Sequence, residues 1–368
     1  MWRFLFSCFC LFMFNLCTVQ AQVNCRTPNR ERGKCIRLSS CAVLYDAVLT
    51  KDPKVVKFLR ESQCGFSEEP FVCCGSVAFF APPPTSPRIL DRRPYLLTSN
   101  QECGYEDVTS KVIGGKVTAP EEFPWTALLG YKNSSGFEQF SCGGTLINER
   151  YILTAAHCVK GESIRIAGPL HKVRLGEWNT ETDPDCYGGG TVKVCSEKPQ
   201  DFGIEEAIPH PDYVEEARDR YHDIALIRMD GNARFSKFVR PACVPHPSSE
   251  QIAVGDTLEV VGWGKTETGK SSPFKLKVQV PLVAETSCNE IFSRASVYIR
   301  SSQLCAGGEK NKDACHGDSG GPLLAQRNNQ FYVVGVVSFG AVCGMEGVPG
   351  IYTRVSQYRD RIEGNLLP

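Results

Sequence analysis

The chain has 368 residues, with 41 basic and 41 acidic side chains and 19 cysteines. This length corresponds to about two domains and allows a sizeable core, while a net charge of zero gives no indication of a nucleic-acid-binding surface. Charged residues at 22% and hydrophobic ones at 42% exclude wholesale disorder. So many cysteines are typical of an oxidising compartment, where they pair. An odd number of them then needs an explanation.

The N-terminus explains the odd number. A short basic start precedes an apolar run from Phe4 to Cys17, and Val19-Gln20-Ala21 follows. This pattern predicts a secretory signal over residues 1–21, because the run is too short to span a membrane comfortably and no later segment is apolar enough to do so. Cleavage leaves sixteen of the nineteen cysteines, which can all pair. The three that are lost are Cys8, Cys10 and Cys17.

Residues 22–74 hold six cysteines and form the first predicted module. So short a segment needs disulfides to support its core, and the spacing alone does not choose among the connectivities. Two short helices are expected between Cys41 and Cys64, and Asp52-Pro53 is typical of an N-cap followed by a first helical turn. The residues expected on one face of the second helix are Val55, Val56 and Leu59.

Residues 75–111 are predicted to be a linker with an activation segment. Five prolines between Gly75 and Glu102 indicate an extended, solvated stretch without periodicity. The large domain follows over residues 112–368, shows no internal repeat and is predicted to be all-β, because it alternates short apolar runs with glycine turns. Its expected strands are Asp223 to Met229, Leu258 to Trp263, Phe274 to Val280 and Phe331 to Phe339. Val355 to Leu366 is expected to be an exposed helix.

Three local motifs of the large domain carry candidate chemistry. They are Leu153-Thr-Ala-Ala-His157-Cys158, His222-Asp223-Ile-Ala-Leu226, and Asp313-Ala-Cys-His-Gly-Asp-Ser319-Gly-Gly-Pro322. A serine hydroxyl needs a base within hydrogen-bond reach, and that base needs an orienting group. His157 is the candidate base, Asp223 the candidate orienting group and Ser319 the nucleophile. The backbone N–H groups of Gly317 and Ser319 are candidates for holding an oxyanion.

Each motif also has an ordinary structural explanation: a packed histidine, a capping aspartate and a glycine-rich loop. Their joint occurrence in the order His, Asp, Ser with these flanking residues favours catalysis. The domain resembles the chymotrypsin-like serine proteases from about Val112 to Pro368. The resemblance also includes Phe123-Pro-Trp125, Ser141-Cys-Gly-Gly-Thr145, Gly262-Trp-Gly264 and Pro349-Gly-Ile-Tyr-Thr353. It implies a mostly β fold of two packed six-stranded barrels with the active site in the cleft between them.

The resemblance implies that the protein is made as a zymogen. Lys111-Val-Ile-Gly-Gly115 matches the cleavage site of the family, so that a cut after Lys111 frees the α-amino group of Val112. In the family this ammonium pairs with the carboxylate before the nucleophile, here Asp318. An unpaired buried carboxylate is costly, so the new ion pair orders the oxyanion loop.

The resemblance also implies trypsin-like specificity. Asp313 corresponds to the base of the primary specificity pocket and selects Arg or Lys at the cleaved position, while Gly340 and Gly350 leave room for a long side chain. Ala314 stands where many trypsins have serine, which accepts a hydrogen bond from a lysine ammonium. We therefore predict a preference for Arg over Lys, because guanidinium still bridges Asp313 in a bidentate manner.

The family pattern implies three disulfides in the large domain, Cys142–Cys158, Cys288–Cys305 and Cys315–Cys343. Cys103 lies before the cut and Cys243 has no partner inside the catalytic core, so we expect these two to bond and to hold the light chain after activation. Cys186 and Cys195 then pair with each other in a segment longer than that of trypsin.

The first module, which ends in the adjacent cysteines Cys73 and Cys74, resembles the clip domain of arthropod clip-domain proteases. That family implies the pairs Cys25–Cys73, Cys35–Cys64 and Cys41–Cys74. It also implies an extracellular cascade that activates prophenoloxidase, leading to melanisation, or cleaves Spätzle-like cytokines upstream of Toll, with an upstream activating protease and an inhibitory serpin as partners. The clip module is either a docking element or a passive spacer.

Asn133-Ser-Ser135 is an N-glycosylation sequon.

The segment around Cys186 is acidic, and in some members of the family the corresponding loop binds Ca²⁺. The candidate ligands are Glu177, Asp183, Asp185 and Glu205 or Glu206, and a solvated acidic loop without calcium is an equal alternative. Catalysis itself requires no cofactor.

Three functions remain in competition at the level of sequence. The first is an Arg-directed protease of an extracellular immune cascade. A catalytically silent clip-domain adaptor is disfavoured by the presence of His157, Asp223 and Ser319 together. A digestive trypsin is disfavoured by the clip module, the linker and Cys103, since a digestive enzyme needs only a short propeptide.

Overall fold

The structure is a computed structural model that describes residues 24–29, 31–49, 53–66, 69–75, 96–99, 102–106, 117–187, 194–248, 250, 252–265, 271–309, 318–340 and 345–367. These residues fall into two compact units, one within residues 1–92 and one within residues 93–368. Each unit has its own hydrophobic core. In the parts of the chain that are described, no helix is both long and apolar enough to cross a membrane.

The first unit is a small antiparallel sheet with two helices. Its elements are β1 (Asn24–Arg26), β2 (Arg32–Arg37), α1 (Ala42–Leu49), α2 (Pro53–Glu61), β3 (Gln63–Phe66) and β4 (Pro70–Cys74). The strand order is β1-β2-β4-β3. Cys25–Cys73, Cys35–Cys64 and Cys41–Cys74 join the strands to one another and to the start of α1. These are the pairs that the clip resemblance implies.

The core of this unit is small, which explains its dependence on disulfides. It consists of Cys41, Leu44, Phe58 and Val72, all at most 1% exposed. The two expected helices are present, but the expected face of α2 is wrong at Val56, which is 38% exposed. Phe58 takes the buried position instead, because its ring fills a core that has few other large side chains.

The second unit begins with a sheet of short strands. They are β5 (Thr126–Lys132), β6 (Glu138–Leu146), β7 (Tyr151–Thr154), β8 (Leu170–Leu175), β9 (Cys186–Tyr187), β10 (Val194–Cys195), β11 (Gln200–Phe202), β12 (Ile204–Pro209) and β13 (Ala225–Met229). Helices α3 (Ala156–Val159) and α4 (Glu162–Ala167) lie between β7 and β8. The sheet order is β11-β8-β5-β6-β7-β13-β12, and β9 and β10 form a separate hairpin.

This sheet closes on itself at Gly203. Strands β11 and β12 are its two outermost members, and only Gly203 separates them in sequence. They are therefore two parts of one bent strand, so that the sheet is a six-stranded barrel. At this bend a Cβ on Gly203 would lie 2.4 Å from Asp230 Oδ2, so a larger residue would require the Asp230 side chain to move.

The second barrel is closed in the order β14-β15-β16-β19-β18-β17. Its strands are β14 (Thr257–Gly262), β15 (Leu276–Val283), β16 (Gln303–Gly307), β17 (Pro322–Arg327), β18 (Gln330–Phe339) and β19 (Pro349–Arg354), and helix α5 (Glu285–Phe292) precedes β16. The expected strands correspond to β13, β14, β15 and β18, with ends shifted by at most three residues. The prediction of two β-barrels is confirmed.

The C-terminal segment differs from the exposed helix that we expected. It forms a 3₁₀ turn over Val355–Tyr358 and then helix α6 (Arg359–Asn365). Val355, Tyr358, Ile362 and Leu366 are all less than 7% exposed and belong to the core around the first barrel. Their spacing of three and four residues places them on one face, so the segment is amphipathic and packed.

The end of the predicted linker is also packed and not solvated. Leu97 is 7% exposed, and its neighbours bond to the loop that follows β6: Asn148 donates to the Leu96 carbonyl at 2.8 Å and Thr98 to the Ile147 carbonyl at 3.2 Å. The Gly104 N–H donates to the carbonyl of Pro241 at 2.8 Å. The proline-rich part from Ser76 to Tyr95 lies outside the described residues.

Candidate active site

His157 and Asp223 meet at the ends of two paired strands. β7 ends at Thr154 and leads into α3, which carries His157, while Asp223 comes just before β13. Because Thr154 pairs with Ala225, the two side chains emerge side by side. His157 Nδ1 lies 2.8 Å from Asp223 Oδ2, and the backbone N–H of His157 donates to Oδ1 at 2.9 Å. The carboxylate therefore holds both the ring and the main chain of the histidine.

The second barrel completes the surroundings of Asp223. The Ser338 hydroxyl on β18 donates to Asp223 Oδ2 at 2.5 Å, and the Thr353 hydroxyl on β19 donates to the Asp223 carbonyl at 2.7 Å. Burial alone would raise the pKa of Asp223, which is fully enclosed. The His157 ring, the Ser338 hydroxyl and the His157 N–H together hold this pKa below its ordinary value. The carboxylate is thus ionised at neutral pH.

Ser319 lies on a tight turn pressed against the first barrel. Its carbonyl accepts the Gly143 N–H at 2.8 Å and lies 3.6 Å from the sulfur of Cys158, the residue after His157. Gly320 has φ +77, and a Cβ there would lie 2.2 Å from the Thr154 hydroxyl oxygen. Only glycine fits at this point, and its close approach brings Ser319 to the side of the barrel that carries His157.

Asp318 occupies a cradle made by two glycines. The Gly264 N–H donates to Asp318 Oδ1 at 2.8 Å. A Cβ on Gly262 or on Gly264 would lie 2.2 Å from one of the carboxylate oxygens. The Gly262-Trp-Gly264 motif therefore serves to seat this carboxylate. Its predicted partner Val112 lies outside the described residues, as do Lys111 and Gly317.

The two glycines of the predicted specificity pocket face each other. A Cβ built on Gly340, just after β18, would lie 3.8 Å from the Cα of Gly350 on β19. Since glycine has no side chain, neither of these two positions fills the space between the strands. Asp313 and Ala314, predicted to lie at the base of the pocket, are outside the described residues.

Within the described part of the second unit, four disulfides join the expected cysteines. They are Cys103–Cys243, Cys142–Cys158, Cys186–Cys195 and Cys288–Cys305. Cys142–Cys158 fixes the helix of His157 to β6, and Cys103–Cys243 is buried, with both residues 1% exposed. The eighth expected pair, Cys315–Cys343, lies outside the described residues.

Sequence reasoning did not find Ser338, Thr353 or the cradle of Asp318. Ser338 is the polar residue in an otherwise apolar run from Phe331 to Phe339, which is the signal that a search for buried polar groups would have used. Thr353 lies in a motif of the resemblance but was assigned no role.

Comparisons with known proteins agree with this geometry. Residues 112–362 match the family described as Trypsin, and residues 25–74 match the family described as the regulatory CLIP domain of proteinases. The chain belongs to the clip-domain serine proteases of the trypsin family. It is therefore a trypsin-like serine endopeptidase, and the resemblance stated from its motifs is confirmed.

Relatives of this clip-domain protease match it along nearly their whole length. Phenoloxidase-activating factor 1 of Holotrichia diomphalia is 59% identical over 359 residues, covering 97% of both chains. Serine protease ea of Drosophila melanogaster is 38% identical, covering 93% of this chain and 90% of the relative. The crystal structure of the Drosophila Grass clip serine protease of the Toll pathway matches with a TM-score of 0.63 and 33% identity, covering 93% of this chain and 96% of that one.

Two carboxylates of the acidic loop of the protease domain lie close together, because Glu177 and Asp185 both accept the backbone N–H of Trp178, at 3.0 and 3.1 Å. Arg174 Nη1 lies 3.1 Å from Glu177 Oε2, Asp185 accepts two backbone N–H groups, and Glu205 pairs with Arg150 at 2.6 Å. Calcium binding through Glu177, Asp183, Asp185 and Glu205 stays a prediction, which melting temperatures with and without Ca²⁺ will test.

Among the described residues, the potential metal ligands that lie within 4.8 Å of one another are those of Cys142, His157 and Cys158. Both sulfurs belong to one disulfide, so this group is the support of His157 and not a metal centre. Asn133 lies in the turn after β5, where its side-chain oxygen accepts hydrogen bonds from Ser135 and Phe137. Its glycosylation also stays a prediction.

Proposed function

We propose that this protein is the secreted zymogen of a serine endopeptidase that is activated by cleavage after Lys111 and cleaves its substrates after Arg, and less readily after Lys. Its place is in an extracellular innate-immune cascade. The observation that carries the proposal is the buried His157–Asp223 pair, with Nδ1 and Oδ2 2.8 Å apart, beside the turn of Ser319.

In the proposed reaction the Ser319 hydroxyl attacks the scissile carbonyl carbon while its proton passes to His157 Nε2. Asp223 accepts the hydrogen bond from Nδ1–H and stabilises the imidazolium. The backbone N–H groups of Gly317 and Ser319 hold the oxyanion of the tetrahedral intermediate. His157 then returns its proton to the leaving amine, and a water molecule, deprotonated by the same histidine, hydrolyses the acyl-enzyme.

Activation is proposed to work through Asp318. The ammonium that is freed at Val112 pairs with this carboxylate, which fixes the following Ser319 and the oxyanion loop. The tight seat between Gly262 and Gly264 supports this step, because it leaves the carboxylate little freedom to turn once it is paired.

Substrate choice is proposed to rest on the pocket between β18 and β19. Asp313 at its base pairs with the guanidinium of the substrate, Ala314 gives no hydrogen bond to a lysine ammonium, and Gly340 and Gly350 form the open walls. Because neither Gly340 nor Gly350 carries a side chain, these two positions do not narrow the pocket for a long substrate side chain.

The names of the relatives support the proposed pathway. One is named phenoloxidase-activating factor 1, another melanization protease 1, and the similar solved structure is described as belonging to the Toll pathway. Because phenoloxidase-activating factor 1 is 59% identical over nearly the whole chain, we favour prophenoloxidase activation over processing of a Spätzle-like ligand. An upstream protease and an inhibitory serpin would control the enzyme.

The test uses the full-length zymogen cut after Lys111. The cut wild type should hydrolyse an Arg amide faster than the matched Lys amide and should convert prophenoloxidase to its active form. Ser319→Ala, cut in the same way, should do neither. Cut wild type without Ser319-dependent amidase activity would contradict the proposal and favour the adaptor. Faster cleavage of a Spätzle-like precursor than of prophenoloxidase would overturn the preferred pathway.

A further inference from the structure

The residue before the carboxylate of the proposed triad has an unusual environment. His222 adopts a left-handed backbone with φ 62, which non-glycine residues rarely do. Its ring stacks on that of His210, with centroids 4.5 Å apart and planes inclined by 12°. Both rings meet the edge of Tyr358 at centroid distances of 5.4 and 5.9 Å. We call these three side chains the His210–His222–Tyr358 cluster.

Hydrogen bonds tie this cluster together. His222 Nδ1 lies 3.1 Å from the Tyr358 hydroxyl oxygen, and Tyr358 is 6% exposed at the end of the 3₁₀ turn before α6. The backbone N–H of Asp212 donates to His210 Nδ1 at 3.2 Å, so this nitrogen acts as an acceptor and carries no proton. The stacked rings are thus held from both sides.

The same cluster fixes the backbone on both sides of Asp223. The His210 N–H donates to the Ile224 carbonyl at 2.9 Å, and the Ile224 N–H donates to the His222 carbonyl at 2.8 Å. The second of these bonds closes a tight turn around Asp223, and the left-handed conformation of His222 sets the direction in which the chain enters that turn. A change in the seating of the His222 ring therefore changes the direction in which the Asp223 side chain leaves the backbone.

We propose that His222 is a positioning residue: by stacking on His210 and bonding Tyr358, it holds the strained turn that aims the Asp223 carboxylate at His157. The proposal rests on the role of Asp223 in the proposed function. His222 itself touches neither the substrate nor the reacting atoms.

The cluster works with neutral imidazoles. The charged or titratable groups that face it are Asp212 on its own loop, Arg300 before β16, and Tyr358 and Arg361 on the C-terminal segment. Burial, His222 and Arg361 lower the pKa of His210 to about 4. Burial and Arg300 outweigh Asp212 and lower the pKa of His222. Protonating both rings would place two cations 4.5 Å apart and open the turn.

The test compares His222→Asn with Tyr358→Phe. Asparagine tolerates the left-handed backbone but loses the stacked ring, whereas phenylalanine at residue 358 keeps its ring and loses only the hydroxyl. Activity is measured on an Arg amide and divided by the concentration of titrated active sites, so that misfolded protein does not count. His222→Asn should then lower kcat roughly tenfold and leave KM nearly unchanged. Tyr358→Phe should lower kcat less. His171→Asn, an exposed histidine on the same barrel, is the matched control and should leave kcat unchanged.

A second readout follows the contact itself. The proton between His157 Nδ1 and Asp223 Oδ2 should give a downfield NMR resonance in the wild type, and it should broaden or shift in His222→Asn but not in His171→Asn. Wild-type kcat together with an unchanged resonance in His222→Asn would overturn the proposal. A wild type that lacks amidase activity would overturn the proposed function instead, and the resonance would still report on the role of His222. If His222→Asn does not fold, the same two readouts in Tyr358→Phe decide the question.

Discussion

The carboxylate of Glu106 accepts a hydrogen bond from the backbone N–H of Phe123, with 2.7 Å between Oε1 and N. Glu106 precedes the proposed cut at Lys111 and Phe123 follows it, so this bond joins the two chains that activation would produce. Phe123 has a left-handed backbone with φ 53, and its ring is buried against Trp125 and Phe331. Glu106 thus stabilises a strained point in the packing of the protease domain.

The pH dependence of stability should reveal this buried carboxyl. Burial raises the pKa of Glu106 to about 7 from an ordinary value of 4.5, although the Phe123 N–H opposes the shift and Glu122 adds to it. The folded protein then binds this proton more tightly than the unfolded chain. The contribution of the Glu106 carboxyl to the free energy of unfolding is therefore fully present below pH 4.5 and is lost as the pH rises toward 7. The loss is at most about 3 kcal/mol.

Glu106→Gln should remove this part of the pH dependence. The melting temperature of the wild type should fall relative to that of the variant between pH 5 and pH 8, as measured by scanning calorimetry on both proteins. Parallel melting curves over that range would contradict the raised pKa.

The buried Cys103–Cys243 disulfide should keep the light chain attached after activation. Cut wild type should give one band on a non-reducing gel and two on a reducing gel. The double variant Cys103→Ser, Cys243→Ser should release the light chain in denaturant without reductant. Under native conditions it should retain the light chain partly, because Leu97 and Glu106 remain packed. A single band for the cut wild type on a reducing gel would refute the two-chain form.

The contrast between Ser319 and Ser338 shows how far the sequence carries the prediction of the site. His157, Asp223 and Ser319 stand in short motifs whose neighbouring residues serve the same site, so local pattern and resemblance find them. Ser338 and Thr353 reach Asp223 from the other barrel. Both residues lie far from Asp223 in the sequence, and no helix or strand periodicity predicts a contact over such a distance. Only the closed topology of the barrels brings them together.

The fold shows the same division. Alternating strands and glycine turns indicate an all-β domain, but the closure of the first barrel depends on a bend at Gly203 that no local pattern marks. The C-terminal helix was expected to be exposed, and the linker end was expected to be solvated because the linker is rich in proline and has no periodicity. Their few apolar residues, such as Ile362 and Leu97, are buried because they find a complementary surface in the tertiary structure.

The Ser338 hydroxyl should contribute to turnover and not to substrate binding. Ser338→Ala removes one hydrogen bond to a buried carboxylate, which should lower kcat roughly tenfold and leave KM nearly unchanged. Ser356→Ala is the matched control, because Ser356 is equally buried and donates to Glu250 Oε2 at 2.8 Å away from the triad. That variant should lose stability but keep its kcat per titrated active site. Equal loss of kcat in both variants would show that Ser338 acts only through general stability.

The space between Gly340 and Gly350 should decide access of the long side chain of the substrate. Gly340→Ala places a Cβ at 3.8 Å from Gly350 Cα, an ordinary contact, and should be tolerated. Gly340→Val adds two methyl groups and should lower kcat/KM for an Arg amide roughly 100-fold, since the side chain no longer enters the pocket.

Reaction of Ser319 with a small acylating agent should continue in Gly340→Val, because this agent does not use the pocket. Gly364→Val in α6, where a Cβ meets nothing within 4 Å, is the control and should retain full activity. Undiminished cleavage of the Arg amide by Gly340→Val would show that Gly340 does not line the pocket.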